Sequence, residues 1–218
     1  MKKLVGLNDN YISVDGSFGG SQTFFRGVPG FWNKYRDKGG CGIVALTDIV
    51  NYLSSTNTFS SKDEYMKEFK KNSLRIAWIP TKYGLSFIQQ TIGLKILLSK
   101  SHQDYKCFWC LSKKKLLPRI SRMLSKNIPV PICIPNTLFK RDNIDTLPFY
   151  NEDRIIISRV KGHFVVATGI FEDEKSHEVY LQISSWGQKY YISYNEYMNY
   201  LKTHFWGIVG GMLFIYKD

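Results

Sequence analysis

Nowhere does the chain carry an uninterrupted apolar run near the roughly 20 residues that cross a bilayer, so the sequence predicts no membrane span. The basic start Met1-Lys2-Lys3 leads only to Leu4-Val5-Gly6-Leu7 before Asn8-Asp9-Asn10. That is shorter than a signal-peptide core of about 7–15 residues. Cysteine is scarce: Cys41, Cys107, Cys110 and Cys133 are too few for a disulfide scaffold in 218 residues. These absences together predict a reduced, soluble, cytoplasmic protein. Acidic residues are also few, 18 against 30 Lys plus Arg, for a net charge of +12. No internal repeat, low-complexity tract or linker is visible. What is abundant is core material, 44% hydrophobic and 15% aromatic, which excludes a disordered chain.

Periodicity divides the chain. Ser13 to Gly42 holds eight glycines and Pro29 with little apolar pattern, and reads as an irregular leader. Ile43, Val44, Leu46, Ile49, Val50 and Leu53 recur at helical spacing with few polar residues between them, which predicts a helix buried on most sides. A second helix is expected over 61–72, with Ser61 as N-cap and Glu64 completing a capping box. Further helices are expected over Gly84–Ser99 and 112–126. After residue 128 the pattern turns to strands: Val130–Ile134, Arg154–Val160, His163–Phe171, Val179–Ser184 and Lys189–Ser193, the last two joined by a Trp186-Gly187 turn. A short helix at Tyr194–Thr203 precedes a final strand at Ile208–Tyr216. A helical first half and a β second half predict an α+β fold.

The most informative residues are Gly39-Gly40-Cys41-Gly42, running into the buried helix. A cysteine in a helix's first turn lies among unpaired N–H groups at the positive end of the dipole, where thiolate is favoured. Flanking glycines allow a substrate backbone to approach. A small buried cysteine capping a core helix fits Cys41 alone equally well. His163 follows 122 residues later, behind Gly162 and opening the apolar run Phe164-Val165-Val166-Ala167. A strand end is where a general base can be held. Another 21 residues on, Ser184-Ser185-Trp186-Gly187 places polar groups where they can orient an imidazole.

The Gly-Cys-Gly before a helix, the Gly-His-Phe-Val-Val opening a strand and the Ser-Ser-Trp-Gly turn resemble the papain-like cysteine peptidase superfamily. The likeness is greatest to its bacterial double-glycine (bacteriocin leader) peptidase branch, over residues 39–53 and 128–200. The resemblance implies one two-lobed domain over 1–218, with a helical lobe at about 39–127 and a β lobe at about 128–218. It implies Cys41 as nucleophile, His163 as base, Ser184 in the place of the orienting Asn or Asp, and Trp186 as an aromatic cover over the histidine. It further implies a peptide or protein substrate, a thioester intermediate, and no cofactor or metal. Two positions depart from the family. Tyr35 stands about six residues before the cysteine, where a glutamine usually donates to the oxyanion, leaving Asn33 as a nearby amide. Ser184 is neutral and cannot stabilise an imidazolium as a carboxylate does. A catalytically inactive papain-like module that binds peptide is therefore the alternative expectation.

Other features have plainer readings. Cys107-Phe108-Trp109-Cys110, with His102 and Cys133, is one C-x-x-C where a structural zinc usually needs four ligands. His177 falls in a charged hairpin loop, and His204 near a helix end. Residues 136–153 read as a long loop that could cover a groove. The charge excess is local, because residues 61–126 hold 15 basic and 4 acidic side chains, among them Lys113, Lys114 and Lys115. A solvated polar face is the usual meaning of such a cluster; as a functional feature it would recruit an acidic partner to the helical lobe. A nucleic-acid-binding protein is favoured by charge alone, with no helix-turn-helix, zinc-finger or RNA-recognition signature beside it.

Overall fold

The computed structural model describes residues 1–8, 10–76, 84–110, 115–136, 146–203 and 211–217. In chain order the strands are β1 (Lys2–Gly6), β2 (Ser13–Val14), β3 (Ser17–Phe18), β4 (Thr58–Phe59), β5 (Lys106–Cys110), β6 (Val130–Ile134), β7 (Leu147–Tyr150), β8 (Ile156–Val160), β9 (His163–Glu172), β10 (Val179–Ser185), β11 (Gln188–Ser193) and β12 (Met212–Tyr216). The helices are α1 (Phe31–Gly39), α2 (Cys41–Leu53), α3 (Lys62–Arg75), α4 (Phe87–Lys100), α5 (Leu116–Ser125) and α6 (Tyr194–Thr203). Nine strands form one antiparallel sheet in the order β5-β12-β6-β9-β10-β11-β7-β8, with β1 also paired to β9, and β3-β2-β4 form a small second sheet. The architecture is α+β.

The sheet does not belong to the second half alone, because β1 and β5 come from the first. The leader is also more ordered than its glycine content suggests, containing β2, β3, a 3-10 helix at Gln22–Phe25 and α1. The stretch read as a loop over 136–153 contains β7. Residues 137–145, 112–114 and 208–210, which the sequence assigned to that loop, to a helix and to the last strand, lie outside the described residues, as does His204.

Helix α2 is the pivot. All its residues but Val44 and Leu53 are buried, and it packs on β9, α3 and α4. Its neighbours are fixed by caps. Ser61 Oγ accepts the Glu64 N–H as expected, but the Glu64 carboxylate accepts from Ser60 N and Oγ, so only half of that box forms. The complete capping box opens α4 instead, between Ser86 and Gln89.

Behind α2, β9 is buried over His163–Ile170, as a central strand covered on both faces must be. The β10–β11 hairpin turns at Trp186 (φ +51°) and Gly187 (φ +73°), the paired left-handed geometry that matches strand twist in two-residue hairpins. A tryptophan accepts that φ only at a cost, and its indole is thereby aimed back at the start of β9.

Candidate active site

Cys41 is the first residue of α2. The preceding residue, Gly40, ends α1 and caps α2 at once: its N–H donates to Arg36 O and its carbonyl accepts from Val44 N. An ideal Cβ at Gly40 would lie 2.3 Å from Arg36 O, so the abrupt junction that presents Cys41 depends on glycine here. His163 is the first residue of β9. A cleft of about 320 Å³ runs between these two element ends, and Cys41 and His163 both line it, with Leu85, Phe87 and Phe164 among its apolar walls. Cys41 is 9% and His163 7% exposed. Among the described residues the His163 ring has one hydrogen-bond partner, Ser185, and none joins it to the Cys41 sulfur.

The Ser185 contact, His163 Nε2 to Oγ at 2.8 Å, corrects the assignment of Ser184 as the orienting residue. Strand parity explains it. Ser184 pairs with Val166 across the β9–β10 ladder, and Val166 faces away from His163, three positions earlier. Ser185 falls on the histidine's side. Ser184 Oγ instead donates to Phe18 O at 3.0 Å, tying the leader to β10. Trp186 stacks on the His163 ring at 4.7 Å between centroids and 27° between planes. The ring is thus gripped on one face and at one nitrogen, which leaves Nδ1 as its open nitrogen.

Neither oxyanion candidate from the sequence reaches the cleft. Asn33 Nδ2 donates to Pro29 O and its Oδ1 accepts from Arg36, which ties this side chain into α1, and it lines neither the cleft nor the recess beside it. Tyr35 meets Phe31 edge-on and Trp32 at a tilt, in a ring cluster on α1. The side chain that does arrive is Gln22, which lines a second small recess with Cys41, His163, Ser184, Ser185 and Trp186. One of its amide hydrogens goes to Asp37 O at 3.0 Å, and the second is left for another acceptor. Gln22 was missed because it sits in a glycine-rich stretch with no helical or strand pattern around it.

Both central groups are held neutral. Burial pushes the Cys41 thiol up, although the backbone amides of Phe164, Gly42 and Cys41 itself favour the thiolate. Burial pulls the His163 imidazole down to about 4. Cys133 also lines the cleft and is pushed up to about 12 by burial and then by the nearby Cys41. Behind the recess lies a polar cluster. Asp48 accepts hydrogen bonds from Tyr65 Oη (2.6 Å), Gly20 N (3.0 Å) and Tyr11 Oη (3.3 Å), and burial raises its carboxyl to about 6.

The two cysteines of the C-x-x-C turn to different partners. Cys107 Sγ turns to the Thr91 carbonyl of α4, whereas Cys110 meets Arg119 of α5. Among the described residues no three His, Cys, Asp or Glu side chains are grouped to hold a metal ion. His177 is an exposed hairpin residue beside Glu172. No described helix is long and apolar enough to cross a membrane. Comparison with protein-family models, with curated proteins and with solved structures gives no significant match.

Proposed function

We propose that the chain is a papain-like cysteine peptidase, or a related amide-bond hydrolase or acyl transferase, with Cys41 as nucleophile and His163 as general base. The observation that carries this reading is the meeting of a helix-start cysteine and a strand-start histidine at one cleft, the histidine ring fixed by Ser185 and Trp186. With Nε2–H donating to Ser185 Oγ, Nδ1 keeps its lone pair for the thiol proton. His163 takes that proton as Cys41 Sγ bonds to the substrate carbonyl carbon. The Cys41 N–H and the second N–H of Gln22 stabilise the resulting oxyanion. The imidazolium then gives its proton to the departing amine, and water, or another nucleophile in the transferase variant, resolves the thioester.

The neutral resting pair makes this a general-base attack and not the attack of a preformed thiolate. It also favours a second reading, a peptide-binding module that no longer turns over, because among the described residues the ring's hydrogen-bond partner is the neutral Ser185 and not a carboxylate. An electrophilic amide-mimic probe separates the two. Wild type should label at Cys41, His163→Ala should label at least about 100-fold more slowly, the low end for loss of a general base, and Ser185→Ala should slow labelling more than Ser184→Ala. Labelling of wild type no faster than of Cys41→Ala would sink the catalytic reading.

A further inference from the structure

Helix α2 carries a second polar side chain, one that the chemistry proposed above leaves unused. Asp48 lies seven residues after Cys41, two turns on and on the same face of the helix, and both line the small recess. It is 1% exposed. A carboxyl group so deep costs stability unless donors surround it, and an apolar side chain would fill the place without that cost. The donors around Asp48 come from three separate parts of the chain: Tyr65 from α3, Tyr11 from just before β2, and the backbone N–H of Gly20 from the leader.

Gly20 is the joint between this cluster and the site. Its carbonyl accepts from Gly187 N at 3.1 Å, and Phe18 N donates to Gly187 O at 2.9 Å. Residues 18–20 are thus stitched to the β10–β11 turn on one side and to Asp48 on the other. The next residue, Ser21, accepts from Thr23 N and caps the 3-10 helix that begins with Gln22. Only glycine lets the backbone approach this closely. An ideal Cβ at Gly19 (φ +83°) would lie 2.1 Å from Ser184 Oγ and 3.0 Å from Asp48 Oδ2, and one at Gly20 would lie 1.9 Å from Tyr65 Oη. The bond from Gly20 to Asp48 is therefore a direct polar tie between α2, which presents Cys41, and the segment that brings Gln22 to it.

We propose that Asp48 is a positioning residue for the reaction at Cys41: through Gly20 it sets the place from which Gln22 offers its second N–H to the oxyanion. This role rests on the reading of Cys41 and His163 as a catalytic pair. A displacement of about 1 Å in a group that acts on the reacting atoms can cost about a hundredfold in rate. A carboxylate suits the task because it only accepts, so all three donors can converge on it.

The test uses the full chain and p-nitrophenyl acetate. Cys41 Sγ bonds to its carbonyl carbon, the ester C–O bond breaks to release p-nitrophenolate, and His163 takes the thiol proton. The coloured burst above that of Cys41→Ala measures acylation. Gln22→Ala should slow the burst by about 10²–10³, the loss expected for one oxyanion donor. Asp48→Ala, compared in protein with a native melting transition, should slow it at least about tenfold, in the maximal rate and not in the half-saturating concentration. Asp48→Asn, whose Oδ1 can still accept from Gly20, should lose less. Added to Gln22→Ala, Asp48→Ala should cost no more than about twofold further, because both act through one group. Should Asp48→Ala fail to fold, Asp48→Glu replaces it: the carboxylate stays but moves by one methylene, and the same loss and the same coupling are expected. Wild type that acylates no faster than Cys41→Ala removes the catalytic reading and this role with it. Acylation that Asp48→Ala retains, or that it slows by the same factor with Gln22 present and absent, overturns the role of Asp48 alone.

Discussion

His163 and Asp48 both line the same small recess, and burial displaces their titrations in opposite directions. For His163 the folded value, about 4, lies below the ordinary 6.5, so the unfolded chain takes up the proton first as pH falls. Its contribution to stability is complete above pH 6.5 and is lost between 6.5 and about 4. For Asp48 the folded value, about 6, lies above the ordinary 3.8, so the folded protein protonates first. Its contribution is complete below 3.8 and is lost as pH rises through about 6. Each displacement corresponds to a term on the order of 3 kcal/mol, and the two oppose one another, which flattens the pH profile of the whole protein. Urea unfolding at steps from pH 4 to 7 should expose them singly. Relative to Asp48→Asn, wild type should lose stability as pH rises; relative to His163→Gln, it should gain. A stability difference from either variant that stays constant across this range contradicts the assignment. The same lowering of His163 predicts that Cys41 labelling keeps its rate down to about pH 4, where an ordinary histidine base would fail nearer 6.5.

At the scale of elements, the site is built from ends: the α1–α2 junction gives Cys41, the start of β9 gives His163, and the β10–β11 turn gives Ser185 and Trp186. Glycine at 40 is the tightest of these constraints, since a Cβ there would strike the Arg36 carbonyl. Gly40→Ala should cost about 1–3 kcal/mol, the usual range for overpacking, and should slow Cys41 labelling even in the folded fraction, because α1 or the first turn of α2 has to move. An unchanged melting temperature together with unchanged labelling would show the junction to be soft. What the sequence made legible follows from how each element announces itself. Helices α2, α3, α4 and α6 and strands β6 and β9 to β11 carry clear apolar periods or runs. Helix α1 does not: its rings Phe31 and Trp32 are 72% and 65% exposed, while its buried residues are Asn33 and Gly39, so no inward apolar stripe marks it. Strand β7 is four residues long and contains Pro148, which reads as loop, and three of the five residues of β1 are lysine or glycine. Cys41, His163 and Trp186 were visible through their glycine neighbours. Choosing Ser185 over Ser184 required the pairing of β10 with β9, which sequence spacing alone does not supply.

For the whole molecule the governing quantity is an uneven charge. The described part of residues 61–126 places Lys62, Lys67, Lys71, Lys95, Lys100, Lys115, Arg122 and Lys126 at the surface of α3, α4 and α5, with few acids among them. Of the Lys113 to Lys115 run, only Lys115 lies within the described residues. Like charges spread over one surface repel in the folded state more than in the expanded unfolded chain, so this region should be destabilised by its own field. At about 0.1 M salt the screening length is about 10 Å, comparable with the distance between neighbouring helices. Raising NaCl from low to physiological strength should therefore raise the melting temperature. A double reversal on α4, which carries no acid, Lys95→Glu with Lys100→Glu, should raise it at low salt by about 2–4 °C if about 1 kcal/mol of repulsion is removed, and should shrink the salt dependence in step. A lysine pair outside these helices, Lys161 and Lys175, reversed in the same way, provides the contrast. A rise of the same size from that pair would show that net charge, and not its concentration on the helices, sets the effect. A fall in stability for Lys95→Glu with Lys100→Glu would mean that those cations are already balanced within the fold, leaving no excess there to attract an acidic partner.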